Sequence, residues 1–506
     1  MKKRLLHIIL LCSISLQGWS QNFDDMVACM SDKSLPLVNV EVDIDSVGFL
    51  YFMPGRFTLF EHKDGATTSQ TYSCLVRQRG KTALFLQKWS FAIKLVDEVG
   101  EKLDANLLGL RTDNSWILDA MGIDKLRMRN RVCFDIWNEY SHTMWDTKFG
   151  NRNGTVGTMV EVFINGDYAG IYHLSDKINR QLLNLRKAKV NDDGSVTVKG
   201  VLYKGKGSGV SNALLDYEED RTDTTKWNTF ELQYPEDYPS LESWQPLMEL
   251  IDFNGKTQLD YFTAHLYEWY YTDNLVDYFI LLVALGIDDM PYKNTFLSTP
   301  DINFEHRYMI TPWDMDACLG RNCNGNPQFY TSLLNRLNAF GPFNRIVAYN
   351  IDDFRYRVAD RWDELKDSVF SPENIRSHIT AIAQRFVDSG AWQREYDLWK
   401  DIAESVEEGE DYDERIIITE DINQEVEYVM NWYQRNYNSI TSQINRWHKG
   451  YVDPFTISAA TITQIYNYML GTDLEYNEEQ LDLNGDGIIN SSDITYGYNV
   501  MLGIEQ

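Results

Sequence analysis

The sequence predicts an α+β protein: a two-lobed body, β-rich first and helix-rich afterwards, followed by a small all-α module. Three observations carry this. Up to about residue 210, short apolar runs alternate with Gly and polar breaks, as strands and hairpins do. From about Ser371 to His448, apolar residues recur at helical spacing among many charges. Near the end, Asp482 to Asp493 sets out oxygen-bearing side chains as a calcium loop does, between two similar helix-length stretches. The chain has 506 residues and is 43% hydrophobic, ample for a large core, and its 24% charged content argues against global disorder.

The first 20 residues read as a secretory signal peptide: Lys2, Lys3 and Arg4, then the apolar run Leu5 to Leu16, then Gly18-Trp19-Ser20 as a cleavage site. The run is too short to span a bilayer comfortably, and Leu11 before Cys12 is the wrong context for lipoprotein processing. The expectation is a secreted or extracytoplasmic protein, released or at the cell surface, with no transmembrane anchor; Tyr278 to Leu285 reads as a core segment. The body is expected over 21–450 and the tail over 451–506.

Within the body, Leu35 to Val42 reads as a strand and Tyr51 to Leu95 as mostly β. Ser115 to Tyr140 has helical spacing, with Trp116, Met121, Leu126, Val132 and Ile136 as its buried set. Met159 to Leu174 is a hairpin whose Asn165-Gly166 turn wants positive φ. Leu259 to Leu285 reads as helix, Arg307 to Thr311 as strand, and the acidic run Glu404 to Glu414 as a solvated loop.

The formal net charge of −28 excludes nucleic acid and anionic membranes as partners and suits a protein that works with cations. Loss of Cys12 with the leader leaves five of the six cysteines, too few for a disulfide scaffold. Cys318 and Cys323 either close a small loop in an oxidising compartment or remain thiols.

In the tail, Asp482, Asn484, Asp486, Asn490 and Asp493 occupy loop positions 1, 3, 5, 9 and 12, with Gly487 at the sharp turn and Ile488 offering its carbonyl at position 7. This is an EF-hand arrangement for Ca2+. Asp at the last position, in place of Glu, makes the loop similar to that of dockerin-like modules. Thr461 to Gly471 repeats as Asp493 to Gly503, but Asp453 to Ala460 lacks the ligands, so one calcium site is expected. The resemblance implies a cohesin-like docking partner.

Two segments of the body concentrate carboxylates after apolar runs: Asp288-Asp289 with Lys293-Asn294, and Pro312-Trp313-Asp314-Met315-Asp316. Asp289 and Asn294 have the spacing of the catalytic Asp and metal-binding Asn of a protein-kinase loop, Asp314 follows a strand as a kinase's magnesium Asp does, and Phe91-Ala92-Ile93-Lys94 ends a strand-like run as the kinase Lys does. Phosphoryl transfer needs such groups: cations to hold a triphosphate and a carboxylate to accept the hydroxyl proton. Each fragment alone also fits a structural cap, a structural calcium site, or a metal-dependent hydrolase built on Asp288, Asp289, Asp314 and Asp316.

Several spaced stretches, in order, resemble the spore-coat protein H (CotH) kinase-like family of secreted atypical protein kinases, across roughly Leu35 to Trp447. They are Arg79-Gly80, Gln87 to Lys94, Leu107 to Arg111 with Trp116, Arg127 to Arg131, Phe163 to Tyr172, and Pro312 to Asp316 with Gly320. The resemblance implies an atypical kinase-like fold and ATP- and Mg2+- or Mn2+-dependent phosphorylation of Ser or Thr in a protein substrate. It implies Lys94 on the phosphates, with Lys88 as rival, and Asp289 as the catalytic Asp, with Asp288 as rival. Asn294, Asp314 and Asp316 would hold metal, and Arg79-Gly80 would lie in the loop over the nucleotide. The chain departs from the family where R-G-x-S-S reads Arg79-Gly80-Lys81-Thr82-Ala83, and where a hairpin often ending in Glu reads Leu174-Ser175-Asp176-Lys177. A kinase-like scaffold without catalysis, or a carbohydrate-binding protein using some of the 14 Trp and 30 Tyr, is the alternative.

Overall fold

A computed structural model describes residues 23–502 apart from 81–83, 85, 208, 218–219, 224–226, 292, 329–340, 401–417, 452–456, 473–480 and 485–487. Residues 1–20, expected to be a signal peptide, and the acidic run 404–414 lie outside the described residues. The described residues are 38% helical and 22% strand, which makes the protein α+β as expected.

Seven strands close into a barrel in the order β1-β2-β3-β4-β5-β7-β6. They are β1 (Leu37–Val42), β2 (Met53–Lys63), β3 (Ala66–Arg79), β4 (Ser90–Val96), β5 (Ser115–Asp119), β6 (Gly157–Ile164) and β7 (Asp167–Ser175). Alternation builds the interior: Val38 and Val40, Phe57 and Leu59, Cys74 and Val76, Ile93 and Leu95, Trp116 and Leu118, Val160 and Val162, and Tyr172 and Leu174 form one buried cluster. Closure comes from the parallel pairing of β1 with β6, Leu37 opposite Glu161. The β6–β7 hairpin turns at Asn165 (φ 53°) and Gly166 (φ 85°), the left-handed pair that such a turn requires. Asn165 also accepts from Val42 N (2.8 Å) and donates to Val42 O (2.9 Å), so the turn residue clamps the end of β1.

Two helical expectations need correction. Ser115 to Tyr140 is not one helix, although its five predicted core residues are all buried. Ser115–Asp119 is β5, zipped between β4 and β7. The chain then turns through Met121 (φ 50°) and Arg127 (φ 55°), and helix starts only at α2. A short α1 (Phe23–Ala28) precedes the barrel, and α2 is Arg129–Tyr140. The buried Asp124 carboxylate sets that start by accepting the amides of Met128 (2.7 Å) and Arg129 (2.6 Å). Leu259 to Leu285 is likewise divided, into α4 (Leu259–Trp269) and α5 (Thr272–Leu285), after α3 (Leu241–Lys256). Between α4 and α5, Tyr270 bridges to Tyr308, whose amide donates to Trp269 O (2.7 Å), so the backbone leaves the helix to pair sideways.

The part beyond residue 210 carries more strand than its sequence pattern implies. After the two-residue strands β8 (Lys189–Val190) and β9 (Val196–Thr197), a second sheet runs β11-β10-β12-β13, formed by β10 (Val201–Gly205), β11 (Phe230–Tyr234), β12 (Thr295–Thr299) and β13 (Met309–Pro312). The apolar α5 packs on β13 and on α7 (Phe354–Leu365), with α6 (Gly341–Tyr349), α8 (Pro372–Asp388), α9 (Ala391–Trp399) and α10 (Ile422–Asn445) completing the helical part. Its core, which includes Trp137, Phe279, Met309 and Trp362, is a separate cluster from the barrel interior. No described helix is long and apolar enough to cross a membrane.

In the tail, α11 (Ala459–Met469) and α12 (Ser491–Met501) each begin with a capping box, at Ser458 and Asn490. They share a small core of Ile457, Ile462, Ile465, Leu481, Leu483 and Ile494. The fully buried Asp493 accepts from Asn484 N (3.2 Å) and Asn490 N (2.8 Å), closing the loop between its two ends. Asp486 and Gly487 lie outside the described residues.

Candidate active site

Along β3, β4, β5 and β7 the alternation that fills the barrel also decides what faces outward. Arg77 stands opposite Ala92, Ala92 opposite Ile117, and Ile117 opposite Ser175; Lys94 is opposite Ser115 and Asp119 opposite His173. This outer face forms one wall of a narrow cleft lined among others by Arg79, Asp119, Asn130, His173, Trp313 and Asp314. The opposite wall is the end of the second sheet. Thr295 pairs with Pro312, and Trp313 N donates to Asn294 O (2.9 Å), so Asn294 and the Trp313-Asp314 step leave the sheet side by side. Asn294 (φ 59°) and Asp314 (φ 56°) both adopt the left-handed conformation, which short polar side chains tolerate best. Asn130 on α2 joins the walls: it accepts from Met315 N (3.1 Å) and donates to Asp119 Oδ2 (3.3 Å).

The carboxylates gather at this junction. Asp314 is exposed to the cleft, yet the walls displace bulk water around it; that desolvation, with the fields of Asp119 and Asp289, raises its pKa against the opposing pull of Lys204 and Arg79. Burial and then Asp314 push Asp316 well above the usual carboxylate range. Asp289 accepts from Lys293 Nζ (2.6 Å) and Asn294 Nδ2 (3.1 Å). Asp288 turns elsewhere: its amide donates to Ala317 O (2.8 Å) and its carboxylate accepts from Cys323 N (3.3 Å).

Facing the carboxylates is a group of cations. Arg79 (5.7 Å) and Lys204 (5.6 Å) both stack on the Trp313 ring, and Phe134 and Phe296 hold that ring edge-to-face. Lys94 (4.6 Å) and Arg77 (4.7 Å) share the ring of Phe52. Burial lowers the Lys204 pKa, opposed by Glu231 and helped by Arg79 and Lys177; burial also lowers that of Lys177, opposed by Glu236 and helped by Lys94 and Arg79. Lys94, Lys177 and Lys204 with Arg79 thus repel one another, and no described carboxylate forms an ion pair with any of them. In a chain of net charge −28, such a group calls for an anionic ligand of several charges.

The fit to metal and nucleotide follows from this donor set. Among the described residues no three Asp, Glu, His or Cys side chains form a ready-made metal cage. Mg2+ does not need one, since it is usually held by one or two carboxylates with phosphate oxygens and waters completing the shell. Asp314, Asp316 and Asn294 offer that partial set beside cations suited to phosphate.

Of the residues named from sequence, Arg79 and Asp314 line the cleft, Asp289, Asn294 and Asp316 lie around Asp314, and Lys94 stands farther along the barrel wall, on Phe52 and near Lys177. Gly80 (φ 115°) ends β3, and residues 81–83 after it lie outside the described residues. Lys88 is enclosed instead: its Nζ donates to Glu395 Oε1 (2.6 Å) and Ile171 O (2.6 Å), and burial pushes its pKa down to about 7. Asp119, Asn130, Lys177, Lys204 and Trp313 were not singled out as site residues by sequence. The one available signal for Lys204 was a lone charge in the apolar strand Val201–Gly205.

Of the two alternatives for Cys318 and Cys323, the structure has the thiols. The five described cysteines are thiols, and the Cys318 sulfur lies 3.3 Å from that of Cys133.

Comparison with curated proteins returned no significant match. A family model described as CotH kinase protein matches residues 76–440, from within β3 into α10, leaving β1, β2 and the tail outside. That span is well over half of the chain and contains every cleft residue named above: this protein belongs to the CotH kinase family.

Proposed function

We propose that the chain is an exported phosphotransferase that moves the γ-phosphoryl group of ATP to Ser or Thr of a protein substrate, assisted by Mg2+ or Mn2+, and that it carries a calcium-binding, dockerin-like tail. The observation that supports this most is the gathering of Asp289, Asn294 and Asp316 with Arg79 and Lys204 around Asp314, with Lys177 and then Lys94 next along the same wall. Asp314, Asp316 and Asn294 would hold the metal, which neutralises charge on the phosphates when bound. Arg79 and Lys204, fixed on Trp313, would grip the triphosphate, and Asp289 would accept the hydroxyl proton. The test is transfer of label from ATP to a Ser-rich protein with either metal. No transfer by the wild-type protein under any of these conditions refutes the reading.

The Lys293–Asp289 ion pair favours a second reading, nucleotide binding without turnover, because a carboxylate already holding an ammonium is less free to meet an incoming hydroxyl. ATP-dependent thermal stabilisation with no labelled product would select it.

Lys204→Met should raise the KM for ATP about tenfold while moving kcat little, since one charge-assisted phosphate contact contributes about 1.4 kcal/mol. Steady-state kinetics check this; an unchanged KM would remove Lys204 from the phosphate site. For the tail, Asp482, Asn484, Asp486, Asn490 and Asp493 with the Ile488 carbonyl would bind one Ca2+. Chelation should then raise amide exchange in α11 and α12 while leaving the barrel strands protected. Equal protection with and without Ca2+ would count against the site. A cohesin-like partner would bind only the calcium-loaded tail.

A further inference from the structure

Cys133 and Cys318 lie 185 positions apart in sequence, are both fully buried, and bring their sulfurs within 3.3 Å. That is closer than the van der Waals contact of two sulfurs, about 3.6 Å, and little more than a Å beyond a covalent S–S bond. Both cysteines belong to the large apolar core of the helical part, as do Val132, Phe134 and Met315. Arg129, at the start of α2, faces the Cys318 sulfur.

We infer that Cys133 and Cys318 form a disulfide when the protein folds under oxidising conditions, and that this bond staples α2 to the segment carrying the cleft carboxylates. Cys318 follows Asp316 by two residues, and its amide donates to Asp316 O (3.1 Å). The adjoining Leu319 N donates to Leu285 O (2.8 Å), and Asp288 N to Ala317 O (2.8 Å). Cys133 lies one helical turn beyond Asn130, which already holds Met315 N and Asp119. The bond would therefore tie three things: α2, the Asp314–Asp316 segment and the end of α5.

The chemistry balances through thiol–disulfide exchange. One thiolate attacks the disulfide of an oxidant, either a dithiol oxidase or a small-molecule disulfide, and releases one oxidant thiol. The second thiolate then displaces the other. Two protein thiols lose two protons and two electrons, one S–S bond forms, and the oxidant disulfide becomes two thiols. Because neither sulfur is exposed in the fold, exchange takes place as the chain folds. Its occurrence in the cell rests on the export proposed above; the geometry does not.

The test uses the full chain, refolded with oxidised glutathione and, separately, recovered from an oxidising compartment. Each sample is denatured with an alkylating agent, with and without prior reduction, then mapped by mass spectrometry. The expected result is two fewer alkyl groups without reduction and one cross-linked peptide pair containing Cys133 and Cys318. Cys323→Ser should leave that pair intact. Reduction should lower the Tm of the wild-type chain by roughly 5–10 °C, but not that of Cys133→Ala. Equal alkylation with and without reductant in the glutathione-refolded sample, or a bridge using Cys323 or Cys74, overturns the proposal. A bridge formed by refolding but missing from the exported sample would fault the export, leaving the geometry standing.

Discussion

Asp314→Asn should lower kcat/KM for phosphoryl transfer by about 10³-fold, a loss of roughly 4 kcal/mol of transition-state stabilisation. Asn is the informative replacement. Position 314 has φ 56°, so Ala would add backbone strain of about 1 kcal/mol and confuse folding with chemistry, whereas Asn tolerates the left-handed region as Asp does. The Asp314 carboxylate takes no hydrogen bond from any described residue, so its charge matters to ligands rather than to the fold. The melting temperature should therefore hold or rise slightly, because the repulsion from Asp119, Asp289 and Asp316 is relieved. Transfer rates with Mg2+ and Mn2+, set beside a thermal melt, check both halves. Undiminished transfer would remove Asp314 from the metal site and the reading built on it.

The second large effect is on stability. Glu395→Gln should destabilise the body by about 3–5 kcal/mol, since removing one partner of a buried ionic cluster leaves uncompensated charge. Glu395 comes from α9 and reaches the barrel wall, where Lys88 Nζ (2.6 Å), Arg127 Nε (2.8 Å) and Ile171 N (2.7 Å) all donate to it. All three side chains are essentially buried. Burial opposes ionisation of Glu395, but Lys88 and then Arg127, with the hydrogen bonds from Lys88 and Ile171, hold its pKa below the usual value. Gln keeps the shape and loses the charge, stranding the Arg127 guanidinium and leaving Lys88 without its counter-ion. Gly170 (φ 106°) shows how close the approach is, since a Cβ there would stand 2.2 Å from the Glu395 carboxylate. Urea unfolding of the variant measures the effect. A change below about 1 kcal/mol would show that the cluster does not fasten α9 to the barrel.

Glu395 also marks the limit of legibility in the sequence. The stretch Ala391–Trp399 reads as an amphipathic helix with Glu395 as one more polar residue; nothing local says that this carboxylate is inside. Its partners lie 307 and 268 positions away, and only the fold joins them. Lys88 misled for the same reason. It sits beside the strand motif that resembles a kinase's, but packing turned its ammonium inward, while Lys94 on the outward register of β4 stands farther along the barrel wall that lines the cleft. Asp119 was read as part of a helix, because Trp116, Met121, Leu126, Val132 and Ile136 are all core residues and their spacing fits a helix by coincidence of burial.

What the sequence by itself determined is whatever depends on neighbours along the chain. That includes the alternation that fills the barrel, the Asn165-Gly166 turn, the capped helices of the tail, and the short spacings Asp289 to Asn294 and Asp314 to Asp316. The ordered motifs were enough to point to the family that the match over 76–440 confirms. Tertiary structure alone decided which charges meet. Strand pairing set Asn294 beside Trp313, the barrel's outward register brought Arg79, Lys94 and Asp119 to one wall, and the second sheet delivered Lys204 to the other. It also set Cys133 against Cys318. The physical reason is the same throughout: period and turn chemistry act over a few residues, whereas electrostatic and covalent partnerships depend on distance in space, which closure of the barrel and docking of α2 and α9 create.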